Sequence, residues 1–182
     1  AIATLNTAAV RAFSSAALHA LDSTQIAGLT STQFATLSSS QLAGLTSDQM
    51  AAIETRDLVK MTTAQIAALT PTQVQALTTT QVTNLTTSQT VALTPTQIGN
   101  LTTDQVVALS ADQVSKLTTS QVQALTTSQV VALETADLAQ MTTTQIAALT
   151  TTQASNLTTD QVVALSTTQV PAMTTAQVAN LS

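Results

Sequence analysis

Bulky apolar side chains recur at every eighth residue: Leu5, Phe13, Leu21, Leu29, Leu37, Leu45, Ile53, Met61 and Leu69, then in the same step to Leu181 without an insertion. A second apolar residue follows five positions after each except Leu85, which Thr90 follows, as Val74 follows Leu69 and Ile98 follows Leu93. Small hydroxyl residues and a glutamine fill the space between. In Leu69-Thr70-Pro71-Thr72-Gln73-Val74-Gln75-Ala76 the polar positions read as a helix start. With Thr70 at the N-cap, Gln73 falls at N3. The hydroxyl can then accept from the N3 amide while the glutamine side chain reaches back to the N-cap amide, which is a capping box. Leu69 before the cap and Val74 at N4 form a hydrophobic staple. Pro71 stands at N1, where a missing N–H costs nothing, and Pro95 repeats the arrangement.

The residue after each bulky position is Ser, Thr, Asp or Asn, except Glu54 and Glu134. Asp48, Asp104, Asp112 and Asp160 all fall at N2, where a carboxylate meets the positive end of the helix dipole. Each helix must stop within eight residues. The slot before the next bulky residue usually holds Ala, and otherwise often Gly28, Gly44, Asn84, Asn100, Asn156 or Asn180, of which Gly and Asn tolerate a left-handed backbone at a helix end. Lys60 and Lys116 occupy the same slot, suited to the negative end of the dipole. Pro171, at N5, costs little if the helix is about one and a half turns long.

The period selects the fold. Eight residues overshoot two α-helical turns by about 0.8 residue, roughly 80°, so in one continuous helix the apolar face would wind around the rod. A β-solenoid is the rival, since Thr and Val favour strands, but strands have no use for Thr-x-x-Gln, for Pro at N1 or for so much Ala. The expected class is all-α: a solenoid or superhelix of very short capped helices, one per octad, with Leu, Val, Ile and Ala inside and Thr, Ser and Gln outside. One octad cannot bury enough to fold alone, so stability must come from contacts between units. Residues 1–20 are diverged octads, with Ala9 and Ala17 in place of the N3 glutamine, and read either as a cap of the stack or as sequence drift. Residues 21–182 are the regular array. The chain opens on Ala1 rather than Met and closes on the first two residues of another unit, Leu181-Ser182, as expected of a segment of a longer array or of a processed chain.

Composition narrows the chemistry. Charged residues are 7% and aromatics 1%, with no Cys, Trp or Tyr. Disulfides and thiolate metal sites are thereby excluded. A net charge of −5, with Arg11, Arg56, Lys60 and Lys116 as the fixed cations, argues against a nucleic-acid partner. No apolar run is long enough to span a bilayer, and there is no leader signature. His19 is the single histidine and has no Cys or acidic cluster around it in sequence, so no triad or histidine metal site is expected. The reading is of a non-enzyme with no catalytic, cofactor-binding or metal residue. Phe13 and Phe34 both sit in hydrophobic slots, which weakens a glycan platform.

Three features are candidates for function. Asn84, Asn100, Asn156 and Asn180 each begin an N-glycosylation pattern, but the octad generates that pattern by itself. Rows of Thr at cap and N1 positions can form a flat, regularly spaced hydroxyl and methyl surface that resembles those of repeat-type ice-binding proteins, but the capping role explains the same threonines. Finally, Glu54-Thr55-Arg56-Asp57 and Glu134-Thr135-Ala136-Asp137 depart from the pattern in the same way, ten octads apart, each followed by Met61 or Met141. The simpler reading makes Glu and Asp an alternative capping pair; the functional one is a divalent cation site shared between turns.

The phrase Leu101-Thr102-Thr103-Asp104-Gln105-Val106-Val107-Ala108 resembles the octapeptide arrays of very large bacterial secreted or surface proteins. The resemblance implies an extracellular or cell-surface stalk, spacer or self-assembling fibre, with self-association or other surface proteins as partners. The alternative is a binding module that uses the solenoid surface for a protein, a glycan or ice.

Overall fold

The structure, a computed structural model, describes residues 2–181. Among them are 21 α-helices of four to six residues, two 3-10 turns over Ile2–Thr4 and Val170–Ala172, and no strand. The chain is an all-α solenoid, and the β-solenoid falls. Each helix starts where the capping residue sits. Thr142, at φ −68° and ψ 158°, precedes helix Thr143–Ala148. Its Oγ1 accepts from the Gln145 amide at 3.2 Å, while its own N–H donates to Gln145 Oε1 at 2.7 Å. The same reciprocal pair opens every α-helix from Ser23–Ala27 onward apart from Thr55–Leu58 and Thr135–Gln140.

Two compact units are formed, Ala1–Leu93 and Thr94–Ser182. In the first, helix Thr7–Arg11 packs on Ser31–Thr36, Ser15–His19 on Ser39–Ala43, and Ser31–Thr36 on Thr55–Leu58. Contact therefore runs from each helix to the one three octads ahead, and three octads, 24 residues, close one turn. In the second unit the rule is the same: Pro95–Gly99 packs on Thr119–Ala124, Ala111–Lys116 on Thr135–Gln140, and Thr127–Ala132 on Thr151–Ser155.

Both staple positions face the interior of their unit. In the first, Leu42, Met50, Ile66 and Val74 are fully buried at N4, with Leu45 and Leu69 at 4% and 3% exposure behind them. In the second, Val114, Val130 and Ile146 are fully buried. Two expectations about this core are overturned. The N3 glutamines from Gln33 onward lie inside, as buried as the leucines, because their amides have bonding partners there, while Gln25 is exposed. Alanine mostly lies at the surface: Ala43 and Ala67 at N5 are exposed, and from Ala52 onward the Ala before a bulky residue is half-buried, because that slot sits at the outer edge of a corner.

The helices also end differently from the expectation. No described residue has a positive φ. Gly28 and Gly44 close their helices at φ −80° and −82°, and Asn100 at −98°. After so short a helix the chain passes straight into an extended bulky residue and the next cap, so no left-handed reversal is required. Gly44 serves close approach instead: a Cβ there would lie 2.9 Å from Ser15 Cβ on the turn beneath. Pro171 also does more than expected. It removes the N5 donor of its octad, and residues 170–172 take a 3-10 turn in place of an α-helix.

Candidate functional site

The corners, where one helix passes to the next, carry the densest polar bonding of the molecule. At the corners from Gln33 onward that lie over a turn of their own unit, the N3 glutamine does two jobs. Its Oε1 closes the capping box, and its Nε2 crosses to the turn beneath, donating to the carbonyls that lie 31 and 28 residues earlier. In the first unit, Gln81 Nε2 donates to Met50 O at 2.9 Å and Ile53 O at 2.7 Å. In the second, Gln145 reaches Val114 O at 2.8 Å and Leu117 O at 2.7 Å. Those carbonyls belong to a helix end, where the last C=O groups lack intrahelical donors. One carboxamide thus satisfies the start of its own helix and the end of the helix below. Even Gln169, whose octad is not α-helical, keeps both bonds, to Leu138 O at 2.9 Å and Met141 O at 2.6 Å.

Besides the diverged octads with Ala9 and Ala17, two corners of the regular array lack the glutamine. Asp57 is fully buried and Asp137 is 5% exposed, and the Oδ2 of each has no hydrogen-bond partner. The reading of Glu and Asp as an alternative capping pair is overturned: neither Glu54 nor Glu134 makes a side-chain cap bond. A capping box needs two side chains that each accept from a backbone N–H, and Glu54 and Glu134, one carbon longer than the Asp favoured at an N-cap, do not turn back to the N3 amide. By register the corner opposite Asp57 is that of Ile26 and Leu29, and the corner opposite Asp137 is that of Val106 and Leu109. An aspartate offers those carbonyls no N–H.

The surroundings of the two carboxyl groups differ. Ser31 Oγ, on the turn beneath, donates to Asp57 Oδ1 at 2.5 Å, and Arg56 Nε lies 3.8 Å from the same oxygen while its Nη2 pairs with Glu54 Oε2 at 2.7 Å. The residues in the same slots around Asp137 are Ala111 and Ala136, which can supply neither a hydroxyl nor a charge. Burial, and then the charge of Glu134, push the Asp137 carboxyl above its ordinary value.

The remaining sequence candidates are dispersed. His19 is exposed, with Nδ1 3.0 Å from Gly44 O beside a shallow dent that it shares with Ser15 and Ala16. Asn84, Asn100, Asn156 and Asn180 are exposed, and each turns its Nδ2 back to the carbonyl four residues earlier, at 2.7–2.8 Å. Phe34 is fully buried and Phe13 half-buried, which leaves neither ring open as a stacking platform. Among the described residues no three His, Asp or Glu side chains gather as metal ligands, and no helix is long and apolar enough to cross a membrane.

What the sequence reading missed is the second use of glutamine. A capping box accepts Glu as readily as Gln, yet from residue 25 onward every N3 residue is Gln except Asp57 and Asp137, and none is Glu. That preference is the signature of a donor requirement.

Together, short capped helices, three to a turn and bonded corner to corner, define an all-α octad-repeat solenoid. The chain belongs to the ALTTAQ repeat family, which matches it over residues 2–31, 50–87, 88–119, 130–167 and 157–182. Compared with the curated proteins, the chain matches none.

Proposed function

We propose that this array is a structural segment, a stalk, spacer or self-assembling fibre, of a bacterial secreted or cell-surface protein. The observation that carries the reading is the corner glutamine. Because each turn presents to the next carbonyls equivalent to those its own glutamines use on the turn beneath, length can be added by repetition without new chemistry. The outer face supports it: mostly uncharged hydroxyls, with functional groups spread one at a time rather than converging. Proteolytic shaving of intact cells tests the placement. Release of octad peptides without lysis is expected, and their appearance only after lysis would overturn it. Sedimentation and negative-stain images over a concentration series test assembly: fibres support the self-assembling version, and a monomer at every concentration removes it.

A second reading, a binding module, is favoured by one feature of the second unit. Val107 and Val131 occupy the same slot one turn apart, each 42% exposed, beside Thr103 and Thr127 at N1. A ledge of valine methyls and threonines in a 24-residue register suits a regular apolar or hydroxylated partner. Thermal hysteresis and a cell-surface protein screen, each repeated with Val107→Asp and Val131→Asp, separate this reading from the first.

A further inference from the structure

Asp57 and Asp137 each bury an unpartnered Oδ2, but only Asp57 has a serine hydroxyl and a guanidinium at its other oxygen, with Ala111 and Ala136 in the same slots around Asp137. The Oδ2 of Asp137 is sealed from solvent and has no hydrogen-bond partner. The corner it faces by register, Val106 and Leu109, presents carbonyl oxygens, and it stands where Gln129 and Gln161 at the homologous places deliver an N–H. An ionised carboxylate there would set acceptor against acceptor in a place without water, which is costly. A neutral carboxyl group has the missing donor.

The groups that could instead compensate a negative charge are absent or badly placed. On its own helix the titratable neighbour is Glu134, of the same sign. The helix beneath, Ala111–Lys116, carries Asp112 in its first turn and Lys116 at its last residue, while Asp137 lies in the first turn of its own helix. The helix above, Thr159–Val163, carries Asp160, and the corner 106–109 has no charged residue. Asp57, in the same slot of the other unit, has Ser31 and Arg56. Its case shows which groups the slot recruits when a carboxyl group is given partners.

We propose that Asp137 is a proton-binding site: its buried Oδ2 carries a proton and donates it to the corner carbonyl of Leu109, in place of a glutamine amide. The seam between helix Thr135–Gln140 and the turn beneath it then tightens in acid and loosens as the proton is lost. The upward displacement of the Asp137 carboxyl agrees in direction. A group that binds its proton more tightly when folded contributes stability that is full below its unfolded value, 3.8, and is lost as pH rises through the folded value.

The test uses the whole chain, with carbon-detected NMR of the aspartate carboxyl groups and urea unfolding across the acid to neutral range. The Asp137 carbon is expected to titrate above 3.8 in the folded chain. Asp137→Asn and Asp137→Gln, each of which supplies an N–H without a proton equilibrium, keep the acid stability at neutral pH. Relative to either variant, the wild-type unfolding constant grows by up to about tenfold per pH unit through the titration, as one proton requires. Titration at or below 3.8, or a wild-type pH profile parallel to both variants, would overturn the proposal. So would a calcium-dependent gain in stability at neutral pH that both variants abolish, because a cation rather than a proton would then fill the corner.

Discussion

Asp57 and Asp137 hold the same slot of the octad, each after a glutamate that does not cap and each with a buried, unpartnered Oδ2. Yet one lies against a serine hydroxyl and a guanidinium, and the other against Ala111 and Ala136. The repeat fixes where the carboxyl group goes, and residues 26 positions before it and one position before it decide what it meets. In a solenoid a substitution is judged by the turn beneath as much as by its own octad. The glutamines show the rule in its ordinary form, since each one's second bond is made to a residue chosen elsewhere in the chain.

The comparison is broken most severely by removing a standard corner. Gln145→Ala takes the donor from Val114 O and Leu117 O and the acceptor from the Thr142 amide. A loss of about 3 kcal/mol is expected in urea unfolding, from orphaned buried carbonyls plus a weakened cap. Ser31→Ala gives Asp57 the neighbour that Asp137 already has on the turn beneath. The loss of the hydroxyl at 2.5 Å from a fully buried carboxyl group is expected to cost about 2 kcal/mol. A cost under a few tenths would mean that the hydroxyl does not hold Asp57.

The reverse exchange sharpens the contrast. Ala111→Ser with Ala136→Arg furnishes Asp137 as Asp57 is furnished, and the pH dependence of the second unit is expected to flatten, with net stability at neutral pH changing by about 1 kcal/mol or less. Unfolding the double variant at acid and neutral pH checks this. Smallest of all, Asn84→Ala removes an exposed bond to Thr80 O at 2.8 Å. A change of about 0.5 kcal/mol or less is expected, because water replaces the lost partner.

Much of the fold was legible because capping is local. Thr70, Pro71, Gln73 and the Leu69–Val74 staple announce a helix start from neighbouring residues alone, and the constant step of eight carries that start along the chain. The number of octads per turn was not legible, since nothing within one octad says which other octad it touches. The burial of glutamine was misread for a related reason. Its Oε1 is used within its own octad, whereas the group that requires burial, Nε2, bonds to residues 28 and 31 positions away. The acidic octads stood out by their shared departure from the pattern, but the difference between them lay in Ser31 and Ala111, which look unexceptional where they stand.

Hydrogen exchange of the glutamine side-chain amides, followed by NMR, tests the corner bonding most directly, because the chain carries its own controls. Gln129, Gln145 and Gln153 are 2–3% exposed and donate into corners, whereas Gln123 and Gln140 point outward. Slow exchange of the first three beside fast exchange of the other two is the expected result. Equally fast exchange at all five would contradict a solenoid held together by its glutamine corners.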